Sequence, residues 1–569
     1  MRTFKKKLLL LLSIILMLIN MGSFVLRYQI MSPFSYINYV LFFLTYILIT
    51  TLTLLFVLIF KSYTTYSFFT VFTIALVLRF IYQPVIGFYG TDSWHEMGNL
   101  LLLDMSKHLP QYDVYPHLWL TLMNSYPVFY LDVYIWYVVS GLELQNIASL
   151  GIKFLTIVIE IAIYIIALRA TGSKVLALCT TLMYAVFRVH YIAHGIVHRE
   201  VIGMPLLLLL LFVYAIILLE RRGSIRPADT LTITVLTVSL AFTHHFSAFI
   251  SLLFALSLLA TIKYNKKMMP LLLYVAILPI LIHWIYHRKT PIDFLSKIVD
   301  LLWHEEIYYK QSPVEAVISF TKDPKLALSL YGEIIYAIII ILLTLKSYLD
   351  IHNKKTLSEN EKSFIKSVFA TSMSLIVVGV SYVVTYPVSA TLGSVYTIAQ
   401  KIQTFLYLLS FLVIAFRLRY FQTEKRVHKC ILVVLFISGF ALINFLAVPE
   451  ALFNVNELPF KGTARLEEVY SSQWLEKYTI ESSCCIIIDK WMYRILASMA
   501  YTKNVIATSD LCSIPSMCIR LNSVLVYTKD CVKYGCIEPA CVSELKLSNS
   551  IYKDSATEIY LLILFVNNN

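Results

Sequence analysis

Charged residues are scarce in this chain. Asp, Glu, Lys and Arg make up only 14% of its 569 residues, whereas soluble domains carry about 25%. Hydrophobic residues account for 59%. A composition so poor in charge excludes an ordinary soluble protein and indicates a polytopic membrane protein.

Other sequence signals are also missing. No small-residue cleavage site follows the first apolar run, near residues 8–26, so we expect a retained anchor there and not a signal peptide. No Walker loop or dinucleotide fingerprint occurs, so the sequence shows no nucleotide-binding motif that could drive transport with ATP. The net charge of +13 is dispersed in short Lys and Arg clusters between apolar runs, which indicates membrane topology and not a nucleic-acid partner.

Thirteen apolar runs are each about long enough to cross a hydrocarbon core of about 30 Å. The run near 228–243 is the weakest of them. The thirteen predicted spans lie near residues 8–26, 37–60, 67–88, 151–169, 174–190, 201–219, 228–243, 246–262, 269–286, 329–347, 365–385, 397–416 and 429–447.

The connections between these runs differ in charge. With a cytoplasmic N-terminus, every connection assigned to the cytoplasm carries Lys or Arg, as the positive-inside rule requires. An odd number of spans then leaves the tail outside, and eleven of the thirteen histidines fall on the outer side. We therefore predict a multi-pass protein of the cell membrane, with its polar chemistry on the outer face.

Two external segments stand out. The loop near 89–150 is rich in aromatic residues, which favours short amphipathic helices at the membrane surface. The tail 448–569 contains apolar pieces at 485–489 and 522–527 that predict strands. We thus predict a transmembrane domain, 1–447, and a small extracytoplasmic α/β domain, 448–569.

The tail also contains seven of the nine cysteines. Outside the cell, up to three disulfides and one free thiol are the simplest interpretation, and the pairing cannot be deduced. A cysteine-only zinc site is the alternative, although the spacing is not that of a zinc knuckle.

The first candidate site is residues 90–96, Gly-Thr-Asp-Ser-Trp-His-Glu, just after an apolar run. Asp92, His95 and Glu96 are ionisable groups at a predicted membrane surface, where such groups are costly and often functional. Ser93 and Glu96 also fit a capping box, which would give Glu96 a structural role. That alternative would leave Asp92 in the loop before the helix, available as a general base or metal ligand.

The second candidate site ends in His198-Arg199-Glu200, where the chain re-enters the membrane. His194 and His198 have the spacing of two zinc ligands on a helix. A zinc protease would require Glu directly after the first of them, and Gly195 stands there. Arg199 and Glu200 are interpreted either as site residues or as an ion pair at a helix end.

Two further positions are polar within apolar surroundings. His244 and His245 lie where two predicted spans turn at the outer face. One interpretation is that one of them lines a polar cavity, and the alternative is a structural histidine. Adjacent residues on a helix diverge by about 100°, so both are not expected to bind one ion. Lys401 would extend to lipid phosphate or bind a substrate phosphate, for which Arg199 is a natural companion.

These motifs resemble the GT-C superfamily of integral-membrane glycosyltransferases, which use polyprenyl-phosphate-linked sugars. An acidic residue in the first large external loop is the hallmark of that group, and Asp92 is similar to it. The segment His198-Arg199-Glu200 with Gly203 is similar to a second acidic site in some members. The spans and external tail look like single-subunit oligosaccharyltransferases, although Asp-Lys-Trp-Met-Tyr-Arg at 489–494 only partly resembles their Trp-Trp-Asp-Tyr-Gly motif.

The resemblance implies an inverting transfer of a sugar from a polyprenyl-phosphate donor to a glycan, lipid or protein acceptor of the cell envelope. Asp92 would act as base, with Glu96 and Glu200 as further catalytic candidates. Arg199 and Lys401 would bind the donor phosphate. Asp92, His95 and Glu200 would hold Mg²⁺ or Mn²⁺. The histidines given a substrate or structural role are His95, His198, His244 and His245.

A non-enzymatic protein is the alternative: a lipid or polysaccharide transporter, or an envelope assembly protein whose tail binds a partner. A transporter should place ionisable groups near the middle of the membrane on broken helices. Most predicted spans have no charged residue at their centre, and Glu160 and Glu333 are the exceptions.

Overall fold

The structure is a computed structural model. It describes residues 64–79, 91–109, 120–187, 197–261, 270–287, 324–352, 357–385 and 392–420, two single positions at 436 and 439, and five strands between 485 and 562. Contacts divide the chain into two compact units. The first comprises Met1–Ile81, Lys153–Gly195 and Arg199–Glu450, and the second comprises Tyr82–Ile152, Ile196–His198 and Ala451–Asn569.

The first unit is built from apolar helices. Their bounds are α1 Thr64–Arg79, α6 Ile152–Leu155, α7 Ile157–Thr171, α8 Lys174–Ala185, α9 Glu200–Ala215, α10 Pro227–Ala241, α11 His245–Thr261, α12 Leu278–Tyr286, α13 Pro324–His352, α14 Glu359–Thr385 and α15 Leu392–Tyr420. The π-helical segment Ile216–Glu220 continues α9. A second π-helical segment, Leu271–Ile277, leads into α12.

Three of the described helical stretches are long and apolar enough to cross a membrane: Ile152–Thr171, Glu200–Glu220 and Ile334–His352. They match the predicted spans near 151–169, 201–219 and 329–347. Long apolar runs are recognisable because, in lipid, the backbone must satisfy its own hydrogen bonds, and a helix does so within one segment. The predicted spans near 8–26 and 37–60 lie outside the described residues.

Polar side chains link several of these helices. Thr261 and Ser367 share a hydroxyl hydrogen bond of 2.9 Å between α11 and α14. Arg417 of α15 pairs with Asp350 of α13 at 2.7 Å. The Arg221 guanidinium donates to both oxygens of Asp229, at 2.8 and 2.6 Å, and so fixes the turn that leads into α10. Interhelical hydrogen bonds of this kind stabilise bundles in which van der Waals packing is the main attraction.

The second unit contains short helices and a sheet. Its helices are α2 Thr91–Ser106, α3 Leu120–Ser125, α4 Pro127–Ser140 and α5 Leu144–Asn146, and the π-helical segment Ile147–Gly151 follows α5. Pro127 fits the first turn of α4 because its missing N–H needs no partner there. Gly141 ends that helix with φ +67°, a left-handed conformation that favours glycine.

Five strands of the tail form one sheet in the order β2-β1-β3-β5-β4. The strands are β1 Cys485–Asp489, β2 Val505–Thr508, β3 Ser523–Thr528, β4 Asn549–Lys553 and β5 Thr557–Leu562. β1 is parallel to β2 and β3, whereas β5 is antiparallel to both β3 and β4. The strands predicted at 485–489 and 522–527 are thus present. The cysteine side chains of the tail lie outside the described part, so their pairing stays a prediction.

Candidate functional site

The first motif lies at the start of α2, which begins at Thr91. The capping-box prediction is therefore wrong, because Ser93 lies within the first turn and not before it. The Ser93 hydroxyl instead accepts a hydrogen bond of 3.1 Å from the amide of Val197. Both residues belong to the second unit. This bond joins the Gly90-to-Glu96 motif to the turn that precedes Glu200, two segments about one hundred residues apart in sequence.

Glu96 lies one helical turn after Asp92 and is fully buried, with 0% of its surface exposed. Its Oε2 accepts a hydrogen bond from the hydroxyl of Tyr130 in α4. That hydroxyl also accepts from the Asn99 amide at 3.2 Å. Because a buried carboxylate is costly without hydrogen bonds, this chain of three residues fixes α2 against α4. Sequence patterns alone gave no sign of Tyr130, which is one of many aromatic residues in the loop.

Asp92 and His95 both lie within α2, so Asp92 is not in a loop before the helix, as the capping box would have required. The side chains of Asp92 and His95 are outside the described part of the structure. Lys401 likewise lies within α15, and its side chain is not described. The proposed roles of these three residues therefore remain predictions.

The second motif contains three buried ionisable residues in sequence. His198, Arg199 and Glu200 are only 4%, 3% and 1% exposed. Glu200 is the first residue of α9, and Arg199 immediately precedes it. A carboxylate at a helix N-terminus is stabilised by the positive end of the helix dipole. Arg199 and Glu200 are thus buried at the N-terminus of α9, and both interpretations, site residues or an ion pair at a helix end, stay predictions.

Glu200 and His244 come together within the first unit. A carboxylate oxygen of Glu200 and a ring nitrogen of His244 lie within 4.8 Å of each other. His244 is fully buried, whereas the neighbouring His245 is partly exposed. A carboxylate and an imidazole at this separation fit either a shared divalent cation or a direct hydrogen bond after a small rotation. His198, two residues before Glu200 in the chain, is a further candidate ligand.

The first unit also contains a buried charge pair. Arg79 at the end of α1 and Glu160 of α7 are both 0% exposed, and Nη2 of Arg79 is 2.5 Å from both carboxylate oxygens. Tyr184 of α8 is also fully buried in this unit. Glu160 was noted in the sequence as a charge within an apolar span. The pairing with Arg79 was not predicted, because the two residues are 81 positions apart.

Neither a protein-family model nor a curated protein sequence matches this chain. In fold, however, the chain is like the polytopic membrane glycosyltransferases of the GT-C superfamily. The similar structures include AglB, an archaeal oligosaccharyltransferase from Archaeoglobus fulgidus, solved in complex with an inhibitory peptide and a dolichol-phosphate. The likeness to it has a TM-score of 0.52 and 10% identity and covers 86% of this chain and 73% of that chain.

A crystal structure of the Archaeoglobus fulgidus oligosaccharyltransferase tethered to an acceptor peptide is also similar. That likeness has a TM-score of 0.50 and 9% identity and covers 82% of this chain and 70% of that chain. ArnT from Cupriavidus metallidurans, bound to undecaprenyl phosphate, has a TM-score of 0.41 and 12% identity and covers 88% and 98% of the two chains. At these identities the likeness to AglB shows the fold alone.

Proposed function

We propose that this protein is a membrane glycosyltransferase that transfers a sugar from a polyprenyl-phosphate-linked donor to an acceptor at the outer face of the membrane. The observation that carries the proposal is the likeness to AglB, which extends over 86% of this chain. The AglB structure contains a dolichol-phosphate. A donor of that kind lies in the membrane and needs no nucleotide, in agreement with a sequence that has no nucleotide-binding motif.

The buried residues at the start of α9 support a reaction site. Arg199 and Glu200 are at least 97% buried in a chain with few charges. Ionisable groups in apolar surroundings are expensive, and they are retained where binding or catalysis needs them. Within the second unit, the Ser93–Val197 hydrogen bond holds the first motif against the turn at Val197.

Asp92 is assigned as the general base. It accepts the proton of the acceptor hydroxyl while that oxygen forms a bond to the anomeric carbon of the sugar. The bond between the anomeric carbon and the phosphate oxygen breaks, and the phosphate leaves with the electron pair. Attack from the face opposite the phosphate inverts the anomeric configuration. His198 and Glu96 are assigned to the sugar, with the Glu96 carboxylate already oriented by Tyr130.

Arg199 and Lys401 are assigned to the donor phosphate. A guanidinium group binds phosphate oxygens bidentately, and an ammonium adds a second positive charge. Both would stabilise the negative charge that develops on the leaving group, which is the main contribution of such residues to rate. The acceptor is a glycan, lipid or protein of the cell envelope.

Glu200, at the start of α9, is the proposed ligand of a divalent cation within the first unit, since it provides a buried carboxylate oxygen. Asp92 and His95 are proposed as the other ligands. A predominantly oxygen donor set favours Mg²⁺ or Mn²⁺. When bound, such an ion polarises the phosphate oxygens and stabilises the leaving group.

The test is a transfer assay in membranes, with a panel of labelled polyprenyl-phosphate sugars and with or without EDTA. Wild-type protein is expected to transfer label, and Asp92→Asn is expected to reduce the rate by at least about 10²-fold, the contribution of a general base. EDTA should also stop the reaction. Arg199→Ala and Lys401→Ala should raise the donor concentration needed for half-maximal rate.

Asp104→Asn is the matched control. It makes the same chemical change in the same helix, at a partly exposed residue whose partner is Lys107, and should leave transfer unchanged. Full activity of Asp92→Asn would remove that residue from the mechanism. No transfer from any donor by folded wild-type protein would favour the transporter or envelope assembly alternative.

A further inference from the structure

His244 occupies a defined position at the start of α11. Its carbonyl accepts the first hydrogen bond of that helix, from the amide of Ala248 at 3.0 Å. Its ring nitrogen Nδ1 lies 2.9 Å from the Ser247 hydroxyl oxygen and accepts a hydrogen bond of 3.4 Å from the Ser247 amide. This is the hydrogen bond of an N-cap residue, with the imidazole in place of the usual hydroxyl or carboxylate.

The cap decides which ring nitrogen has the proton. The Ser247 hydroxyl can donate or accept, but a backbone amide can only donate, so its 3.4 Å contact favours the tautomer in which Nδ1 offers a lone pair to Ser247. In the neutral ring the proton then resides on Nε2, which is buried. A nitrogen that has a proton is a hydrogen-bond donor and cannot at the same time be a metal ligand. With Nδ1 occupied by Ser247, Nε2 is the atom through which His244 can act on a neighbour.

Glu200 is that neighbour, and Gly203 is the reason that it lies so close. Gly203 is one turn after Glu200 in α9. A Cβ atom at this glycine would be 2.7 Å from the His244 Cβ and 3.0 Å from the Ser247 hydroxyl oxygen. Only glycine allows the first turns of α9 and α11 to approach so closely. The resulting separation of at most 4.8 Å between a ring nitrogen of His244 and a carboxylate oxygen of Glu200 is one that a rotation of the glutamate side chain can close.

We propose that His244 is a positioning residue for Glu200: it donates a hydrogen bond from Nε2 to the carboxylate and is not itself a metal ligand. The role of Glu200 as a metal ligand rests on the function proposed above. The hydrogen bond from His244 does not, because it is a property of the protein alone. Partners of this kind orient a ligating carboxylate, and their loss typically lowers metal affinity or activity by about 10- to 100-fold.

The first experiment determines directly which ring nitrogen of His244 is protonated. Ring-labelled ¹⁵N-histidine spectra of the full-length protein, in EDTA and then in Mg²⁺, report which nitrogen is protonated. His244 is assigned by the signal that disappears in His244→Gln. The expected result is a neutral ring with a proton on Nε2 in both conditions. A proton on Nδ1, or loss of the Nε2 proton when the ion is added, would overturn the proposal.

Two substitutions separate the cap from the donor. His244→Asn keeps an acceptor for the Ser247 amide, because asparagine is a favoured N-cap residue, but it is too short to donate to Glu200. His244→Gln places an amide donor near the position of Nε2. We expect both variants to fold. We expect His244→Asn to lose about 10- to 100-fold in Mn²⁺ affinity measured by electron paramagnetic resonance, and His244→Gln to stay close to wild type.

Equal and complete loss of Mn²⁺ binding in both variants would identify His244 as a ligand and contradict the proposal. Gly203→Ala provides a second route to the same contact, since it should separate the helices and reproduce the loss seen with His244→Asn. Wild-type affinity in Gly203→Ala would show that the contact does not matter. If wild-type protein transfers no sugar, the proposed function fails, but the ¹⁵N spectra still decide the role of His244.

Discussion

Tyr130 is the residue whose hydroxyl has the clearest energetic role in the second unit. It donates to the fully buried Glu96 and accepts from Asn99. Tyr130→Phe removes the donor and leaves a buried carboxylate with one hydrogen bond fewer, which costs about 1–3 kcal/mol. We expect a lower melting temperature in detergent, measured by intrinsic fluorescence.

Tyr137→Phe, in the same helix but partly exposed, is the control and should leave the melting temperature unchanged. Glu96→Gln tests the pair from the other side. If the two residues act through one hydrogen bond, the costs of Tyr130→Phe and Glu96→Gln will not add in the double variant. Strictly additive costs would show that Tyr130 stabilises the unit by another route.

At the same scale, the sequence identified charged residues better than their partners. Arg199 and Glu200 were recognisable because each is ionisable and borders an apolar run, and the same pattern makes Asp92 a candidate whose role stays a prediction. Tyr130 was not recognisable, since its importance comes from contacts across helices that no local pattern contains. Gly203 was noted only through the resemblance, without its contact with His244. The capping-box prediction failed for the same reason: the Ser93 hydroxyl is engaged by the distant Val197 amide.

Among the helices, α1 and α7 are joined by the buried pair Arg79 and Glu160. Arg79→Met would leave the Glu160 carboxylate buried without its counter-charge, which costs about 3–5 kcal/mol. Arg79→Met with Glu160→Leu removes both charges and should recover most of that loss, because buried ion pairs are often replaceable by apolar residues of similar size. Thermal unfolding of the purified variants measures both effects.

The pair Arg169 and Glu220 is the control for this comparison. It has the same chemistry but is partly exposed, at 49% and 35%, so Arg169→Met should cost less than about 1 kcal/mol. A double variant at 79 and 160 that is as unstable as Arg79→Met would show that the buried pair does more than neutralise charge.

Helix positions were largely predictable, because an apolar run of sufficient length has few alternatives in lipid. A helix, α10 Pro227–Ala241, lies at the weakest predicted span, near 228–243, but it is shorter than the three described stretches that are long enough to cross a membrane. The order of the strands in the tail was not predictable from residues 485–489 and 522–527, since β5 lies next to β3 although the chain reaches β4 first. Sheet order depends on long-range pairing, which short apolar pieces do not encode.

For the whole molecule, the arrangement across the membrane is the remaining prediction. Thirteen spans from a cytoplasmic N-terminus would place residues 448–569 outside, on the same side as the loop that contains Asp92. The charge pattern supports this arrangement, because every connection assigned to the cytoplasm contains Lys or Arg. An external tail is also a condition for the disulfides predicted among its seven cysteines.

Full-length chains fused at the C-terminus to alkaline phosphatase or to green fluorescent protein test this arrangement, because the first is active only outside the cytoplasm and the second fluoresces only within it. We expect an active phosphatase and a dark fluorescent protein, and the opposite for fusions at the N-terminus. A fluorescent C-terminal fusion together with a fluorescent N-terminal fusion would require an even number of spans. With the first three spans as predicted, this result would place the tail on the opposite side from the Asp92 loop and remove it from any acceptor site shared with Asp92. A fluorescent C-terminal fusion together with a dark N-terminal fusion would mean that the whole chain is turned over, with the tail and the Asp92 loop both in the cytoplasm, and would contradict a site at the outer face. The expected result keeps both on the outer face, where the donor phosphate is proposed to bind.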